Sequence, residues 1–171
     1  MSAMRLIADV SGESVTQLLV QDVFTDDFDV YYCVTNHNGF SGNTALDLRF
    51  LDGGQGYIDG SNYSYARYLM YAHTGFSESK STTSTVVRGI GEVDDEGINS
   101  NFYIYNPTNE NVGTYLTTLN AGFSSSNASF NMVAVSMLNK SYKISGFALK
   151  TANGGTLDNI NCQVYGIRNS L

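Results

Sequence analysis

The feature that most constrains this chain is an alternation of apolar and other residues with a period of two, repeated along its length. In the segment 44–50, the apolar positions are Leu46, Leu48 and Phe50. The same alternation occurs in the segments 29–36, 101–105 and 160–165, and in the first of these the expected apolar set is Val30, Tyr32 and Val34. Because successive side chains of a β-strand point to opposite faces, each segment predicts a strand with one face on a core and one in water.

Further strands are predicted in segments rich in β-branched and aromatic residues: 15–20, 85–90, 112–119, 130–138 and 143–150. The connecting segments carry the residues typical of tight turns, namely Asn38-Gly39, Asp52-Gly53-Gly54, Asp59-Gly60 and Asn153-Gly154-Gly155. No segment shows a long helical stripe. Short strands joined by such turns predict an all-β, antiparallel β-sandwich of jelly-roll type, with less than about 10% helix.

The chain is predicted to form a single β-sandwich domain over residues 1–171, because no long polar or proline-rich linker divides it. One segment, 61–72, fits either a helix face or a strand, and its aromatic content favours the strand. Two segments rich in serine and threonine, 77–84 and 124–129, are predicted to be solvated loops.

The charge of the chain excludes several classes of partner. The formal net charge is −7, and only 15% of the residues are charged. Nucleic-acid backbones and anionic membranes both require a basic surface, so we expect no nucleic-acid binding and no membrane insertion. The apolar run near Met1 is too short for a signal peptide, so synthesis in a cytoplasm is expected.

The two cysteines, Cys33 and Cys162, each lie within an alternating segment. A cytoplasm is reducing, and free cysteine behaves as a small hydrophobic residue. Both cysteines are therefore predicted to be unpaired and buried.

Acidic residues cluster at two places. Asp94-Asp95-Glu96 precedes a glycine, and such a cluster can supply oxygen ligands to Ca²⁺, but its spacing does not match an EF-hand loop. A solvated turn is the favoured interpretation. Asp26, Asp27 and Asp29 give no sign of the facing pair that a glycosidase needs, and Asp26 and Asp27 are interpreted as shaping a turn between Phe24 and Phe28.

No catalytic constellation is evident from the sequence. The two histidines, His37 and His73, lie beside loop-forming residues and are predicted to be exposed loop residues. There is no G-x-S-x-G nucleophile elbow, no H-E-x-x-H zinc motif and no phosphate-binding glycine loop. The sequence therefore predicts a non-enzymatic protein without a cofactor or a metal.

Tyrosine is the most informative residue type, because the chain has 12 tyrosines and no tryptophan. A possible interface is formed by Tyr57, Tyr63, Tyr65, Arg67, Tyr68 and Tyr71. Tyrosine combines a rigid apolar ring with a polar hydroxyl, which suits protein and glycan contacts. Two interpretations stay open: an interface, or a strand whose alternate tyrosines fill the core.

The C-terminal part contains Ile144-Ser145-Gly146, the loop Asn153-Gly154-Gly155, and a last strand ending Tyr165-Gly166-Ile167. With these motifs it resembles the closing hairpin of small virion proteins and tail-fibre modules of tailed phages. Earlier motifs are similar to the same group and occur in order: Asp22-Val23-Phe24, then Phe28-Asp29-Val30-Tyr31, Leu46-Asp47-Leu48-Arg49-Phe50, and Asn62-Tyr63-Ser64-Tyr65-Ala66.

This resemblance implies a β-sandwich on a phage particle, as a tail-fibre-like protein or a capsid decoration, and it implies no catalytic residues. The expected function is that of a non-catalytic structural protein of the virion. A carbohydrate-binding module for host recognition is the alternative. The expected partners are further copies of the chain, with a homotrimer favoured, other virion proteins, and a host surface glycan.

Overall fold

The computed structural model describes residues 4–37, 44–72, 74–93, 97–124 and 128–168. These residues contain no helix. They form the strands β1 (Met4–Gly12), β2 (Gln17–Val20), β3 (Val30–His37), β4 (Thr44–Asp52), β5 (Tyr63–Tyr71), β6 (Gly75–Ser84), β7 (Val87–Val93), β8 (Ile98–Tyr105), β9 (Thr114–Ser124), β10 (Ala128–Leu138), β11 (Ile144–Thr151) and β12 (Ile160–Ile167).

The strands form two antiparallel sheets that pack together. The large sheet has eight strands in the order β1-β12-β3-β8-β9-β10-β5-β6, and the small sheet has four in the order β2-β11-β4-β7. This arrangement confirms the predicted all-β, antiparallel β-sandwich. β11 and β12, late in the chain, each lie between two strands from its first third.

The core lies between the sheets, and in β4, β8 and β12 it is built from the apolar sets of the alternating segments. In β3 the expected apolar set is wrong, because Val30, Tyr32 and Val34 lie on the outer side. The residues of β3 that face the core are Tyr31, Cys33, Thr35 and His37. Leu46, Leu48 and Phe50 of β4 are buried, as the alternation predicts. The ring centroids of Phe102 and Phe147, from opposite sheets, lie 5.8 Å apart in an edge-to-face arrangement. Aromatic pairs prefer this geometry because the ring edge is positive and the ring face negative.

The segment 61–72 contains the strand β5, which confirms the preference for a strand there. The predicted loop at 77–84 is wrong, because these residues belong to β6, which pairs with β5 at the edge of the large sheet. Its serines and threonines need no apolar partner, since backbone pairing with β5 holds an edge strand in place. The segment 124–129 holds the end of β9 and the start of β10, and residues 125–127 lie outside the described residues.

The prediction that His37 is an exposed loop residue is wrong. His37 is the last residue of β3, and it shares the inward side of that strand with Tyr31, Cys33 and Thr35. Its burial lowers the pKa of the imidazole to about 4. His73, Asn38-Gly39 and Asp94-Asp95-Glu96 lie outside the described residues.

Cys33 and Cys162 are both buried and unpaired, as predicted. They lie on the neighbouring strands β3 and β12, and burial raises the pKa of both thiols. A thiol reacts through its thiolate. Both thiols are therefore protected from reaction, because reagents cannot reach them and because burial disfavours the negatively charged thiolate.

We expect Ellman titration of the native protein at pH 8 to detect no reactive thiol, and titration in denaturant to detect both. A Cys33→Ser variant should then give one thiol in denaturant, which calibrates the count. Fast reaction of the native wild type, or a disulfide in protein prepared without oxidant, would contradict this prediction.

Candidate functional site

The six residues of the predicted interface lie in different places in the fold. Tyr63 is fully buried between the sheets. Its hydroxyl donates a hydrogen bond to the carbonyl oxygen of Ile58 at 2.9 Å and accepts one from the backbone N–H of Phe50 at 3.3 Å. Burial raises the pKa of the Tyr63 hydroxyl. Tyr63 therefore joins β5 to the small sheet rather than presenting a surface.

The alternation of β5 separates the remaining residues of that strand. Tyr65, Arg67 and Tyr71 are half-buried and share the side of β5 that carries Tyr63. The ring centroid of Tyr71 lies 6.0 Å from that of Phe130. Tyr68 alone among these residues points to the opposite side, where it is exposed.

Tyr57 lies against the small sheet. Its hydroxyl donates a hydrogen bond to Oε1 of Gln17, and the guanidinium carbon of Arg49 lies 5.4 Å from the centre of its ring. Nη1 of Arg49 also donates to Oδ1 of Asp59 at 2.9 Å. The structure thus places Tyr57 apart from Tyr68, and an interface made of all six residues stays a prediction.

The large sheet instead presents an exposed apolar surface on its outer side. The residues of this apolar face are Tyr68, Phe76, Tyr115, Leu119, Val133 and Val135. Val135 is 54% exposed and Leu119 is 50% exposed. Large apolar side chains scattered singly over a surface are common, whereas a contiguous group of this kind marks an interaction site.

The strand register shows that these residues are neighbours. Val133 on β10 is paired with Leu119 on β9 and with Tyr68 on β5, so the three form one row across the sheet. The ring of Tyr68 stacks on that of Phe76 from the edge strand β6, with centroids 5.4 Å apart. Val135 follows Val133 on the same side of β10. The apolar face is therefore continuous over four strands.

A shallow groove of about 660 Å³ crosses this face. Its lining includes Ala66, Lys80, Tyr115, Val135 and Met137, which come from β5, β6, β9 and β10. Lys80 lies on the edge strand, so the charge is at the margin while the centre is apolar. A hydrophobic centre with a polar rim is the usual composition of a protein–protein interface.

Sequence reasoning missed the apolar face, although β10 carried a signal for it. Both alternating sets of that strand are apolar at its centre, since Met132 and Ala134 face inward while Val133 and Val135 face outward. A strand with apolar residues on both sides is buried on both sides in most folds. Here the outer side is open among the described residues.

The other half of the outer side carries a row of tyrosines. Tyr165 of β12, Tyr32 of β3 and Tyr103 of β8 are paired across adjacent strands. The ring centroids of Tyr32 and Tyr103 lie 4.9 Å apart, and those of Tyr32 and Tyr165 lie 6.3 Å apart. Tyr105 stacks on Tyr103 at 6.2 Å. We call these four residues the tyrosine row.

A hydrogen-bonded polar network borders the tyrosine row. Asp9 accepts hydrogen bonds from Nδ2 of Asn161 at 2.7 Å and from Nε2 of Gln163 at 3.0 Å. The hydroxyl of Tyr165 donates to Oε1 of Gln163 at 2.9 Å. The bond from Gln163 and then that from Asn161 lower the pKa of Asp9, since donors stabilise the carboxylate. Both amide side chains are thereby held in fixed orientations.

Asp47 is the most deeply buried carboxylate in the described part of the chain, at 2% exposure. Its Oδ1 accepts no hydrogen bond from the described residues, and its Oδ2 lies 3.9 Å from Nη2 of Arg88. Burial raises its pKa to about 6, against the opposing effect of Arg88, Arg67, Lys150 and Arg49. Desolvation therefore outweighs the attraction of four cations.

The described residues contain no group of three or more His, Cys, Asp or Glu side chains placed to hold a metal ion. Asp26 and Asp27 form a turn between β2 and β3, in agreement with their predicted role, and Asp26 is 3.6 Å from Nζ of Lys143. In the part of the chain that the structure describes, no helix has the length and apolar character needed to cross a membrane.

No model of a protein family matches this chain, and no curated protein sequence matches it. The fold, the apolar face and the tyrosine row are therefore the basis for any assignment of function.

Proposed function

We propose that this chain is a non-catalytic structural protein of a tailed-phage virion that assembles through its apolar face. The observation that carries the proposal is the continuous row Leu119–Val133–Tyr68, exposed on the outer side of the large sheet. The motifs of the sequence that resemble virion proteins support the setting. The proposal covers a tail-fibre-like position and a capsid-decoration position.

The energetics favour burial of this face. Covering a half-exposed valine or leucine gains roughly 1 kcal/mol per side chain from the apolar area removed from water. Tyr68 and Phe76 are already stacked on each other, so ordering them on binding costs little side-chain entropy. Glu78 and Lys80 lie on the edge strand β6, where they are able to remain hydrated in a complex.

The first partner that we propose is a second copy of the chain. Most soluble homo-oligomers are closed and symmetric, and the resembled virion proteins commonly work as symmetric assemblies, so we favour a trimer. Other virion proteins are the further partners that we propose. The site of synthesis that we propose is the host cytoplasm, and the site of function is the virion.

We expect Val135→Asp to disrupt assembly without unfolding the chain. The substitution places a charge at the centre of the apolar face, where burial in a contact leaves it without a partner. The expected effect is at least a tenfold increase in the Kd of self-association, which is about 1.4 kcal/mol. Sedimentation velocity over a concentration series measures this change, with thermal melts of the same samples reporting the fold.

Tyr68→Ala should weaken assembly by roughly 1–2 kcal/mol, since aromatic side chains carry much of the energy of an interface.

Asn36→Asp is the matched control for Val135→Asp, because it adds the same charge to the exposed side of β3, outside the apolar face. A wild type that stays monomeric at high concentration defeats the self-association. Absence of the chain from purified virions, assayed by mass spectrometry, defeats the virion assignment.

A further inference from the structure

The tyrosine row offers both a ring surface and unused hydroxyls. The hydroxyl groups of Tyr32, Tyr103 and Tyr105 make no hydrogen bond to the described residues, whereas that of Tyr165 is bound to Gln163. Tyr103 is 36% exposed. An aromatic ring with a free hydroxyl binds ligands that present C–H groups on one face and hydroxyl groups at the edge. Sugar rings have this property.

The spacing of the row suits a chain of sugars rather than one small molecule. Adjacent strands are about 4.7–4.9 Å apart, and tyrosines at paired positions repeat across the sheet at a similar interval. Tyr165, Tyr32 and Tyr103 occupy three adjacent strands, so a linear ligand lying across the strands meets a ring on each.

The polar network favours a neutral ligand over an acidic one. Asp9 is its only ionisable group apart from the tyrosine, and its lowered pKa keeps it ionised at neutral pH. The row and the network contain no lysine or arginine. An acidic sugar therefore meets a carboxylate with no cation beside it, and this disfavours sialylated or sulfated glycans. The amides of Asn161 and Gln163 offer neutral hydrogen-bonding groups at the edge of the row.

We propose that the tyrosine row and the Asp9–Asn161–Gln163 network form a binding site for a neutral oligosaccharide. The rings of the row pack against one another, so the sugars contact their exposed edges, and the free hydroxyls and the two amides bind the sugar hydroxyls. The amides are held in place by Asp9 before the ligand arrives, so binding pays little ordering entropy. The site is shallow, so single-site affinity is weak, and several copies in one assembly raise it by avidity.

The proposal is tested by screening the full chain against an array of neutral oligosaccharides and sialylated or sulfated counterparts, followed by calorimetry with the best soluble neutral ligand. Because the chain has no tryptophan, tyrosine fluorescence gives a second readout. We expect Tyr103→Ala to weaken binding at least tenfold. Tyr103→Phe, which keeps the ring, should lose less.

Tyr68→Ala is the matched control, since it removes another exposed tyrosine from the same side of the sheet, three strands away. Tyr68→Ala should weaken assembly and leave the binding of a monovalent sugar unchanged. Tyr103→Ala should weaken the binding of the sugar and leave assembly unchanged. The glycan site is overturned by no binding of neutral oligosaccharides at millimolar concentration, by stronger binding of acidic ones, or by equal losses in the two variants. None of these results bears on assembly through the apolar face.

Discussion

A Gly146→Ala variant is expected to be strongly destabilised, because the added methyl group meets backbone atoms. Gly146 lies in β11, between β2 and β4. A Cβ atom at this position comes within 2.1 Å of the carbonyl oxygen of Val20 and 3.1 Å of Cα of Gln21. Both obstacles are backbone atoms, so no side-chain rotation relieves the clash.

The expected loss is at least about 3 kcal/mol, the upper end of what overpacking costs, because strand β2 has to move away from β11. Total stability of a domain is only about 5–15 kcal/mol, so we also expect the variant to accumulate to a lower level than the wild type. Urea unfolding followed by far-UV circular dichroism measures the change. Gly53→Ala is the control, since no atom lies within 4 Å of its added Cβ, and it should shift stability by less than about 0.5 kcal/mol. Equal midpoints for the two variants would contradict the steric argument.

An Asp47→Asn variant is expected to be more stable than the wild type above pH 7. The folded-state pKa of Asp47 is about 6, against an ordinary value of 3.8, so the native state holds the proton more tightly than the unfolded chain. Native stability therefore falls as pH rises from about 4 to 6 and stays at the lower level above that range. The difference corresponds to about 3 kcal/mol, which asparagine avoids because it does not ionise.

His37 acts in the opposite direction over the same range. Its pKa falls from 6.5 to about 4 on folding, so the stability that it contributes is present above pH 6.5 and is lost as the pH falls toward 4. In the wild type the two effects oppose each other. In Asp47→Asn, only the histidine effect remains, so stability should rise from pH 4 to pH 6.5.

Urea unfolding at pH 4, 5, 6, 7 and 8 separates these contributions. The two proteins should agree near pH 4 and diverge by pH 7. Asp29→Asn is the control, because it removes an exposed carboxylate from the turn before β3. If Asp47→Asn proves less stable than the wild type at pH 8, then pairing with Arg88 outweighs the cost of burial and our account of Asp47 is wrong.

The sequence predicted the sandwich because β4, β8 and β12 each bury the apolar set that their alternation indicates, and this alternation is a local property. The strand β3 was predicted with the wrong face inward, because both of its sides carry large apolar residues. β6 was missed because its inward positions are Gly75, Ser77, Ser79 and Ser81, which give no hydrophobic signal. Its place depends on backbone pairing with β5, and such pairing leaves little trace in a sequence.

The candidate surfaces could be predicted only in part. Alternation alone separates Tyr68 from Tyr63, Tyr65 and Tyr71, once 61–72 is taken as a strand. The apolar face also needs the register of β9 and β10 against β5, and the tyrosine row joins residues of β12, β3 and β8 that are far apart in sequence. Neither set of strand pairings can be derived from the local sequence pattern, since turns and the order of the strands in the sheet determine which residues are paired.

The insertion of β11 and β12 between early strands determines when the two sheets are able to complete their folding during synthesis. β12 separates β1 from β3, and β11 separates β2 from β4, so neither sheet is complete while the ribosome is still translating the segment 144–167. A nascent chain therefore holds open strand edges until translation of this segment ends, and such edges favour aggregation. Both sheets are thus completed only after β11 and β12 have emerged from the ribosome. The finished surfaces therefore form only in chains that contain these two strands.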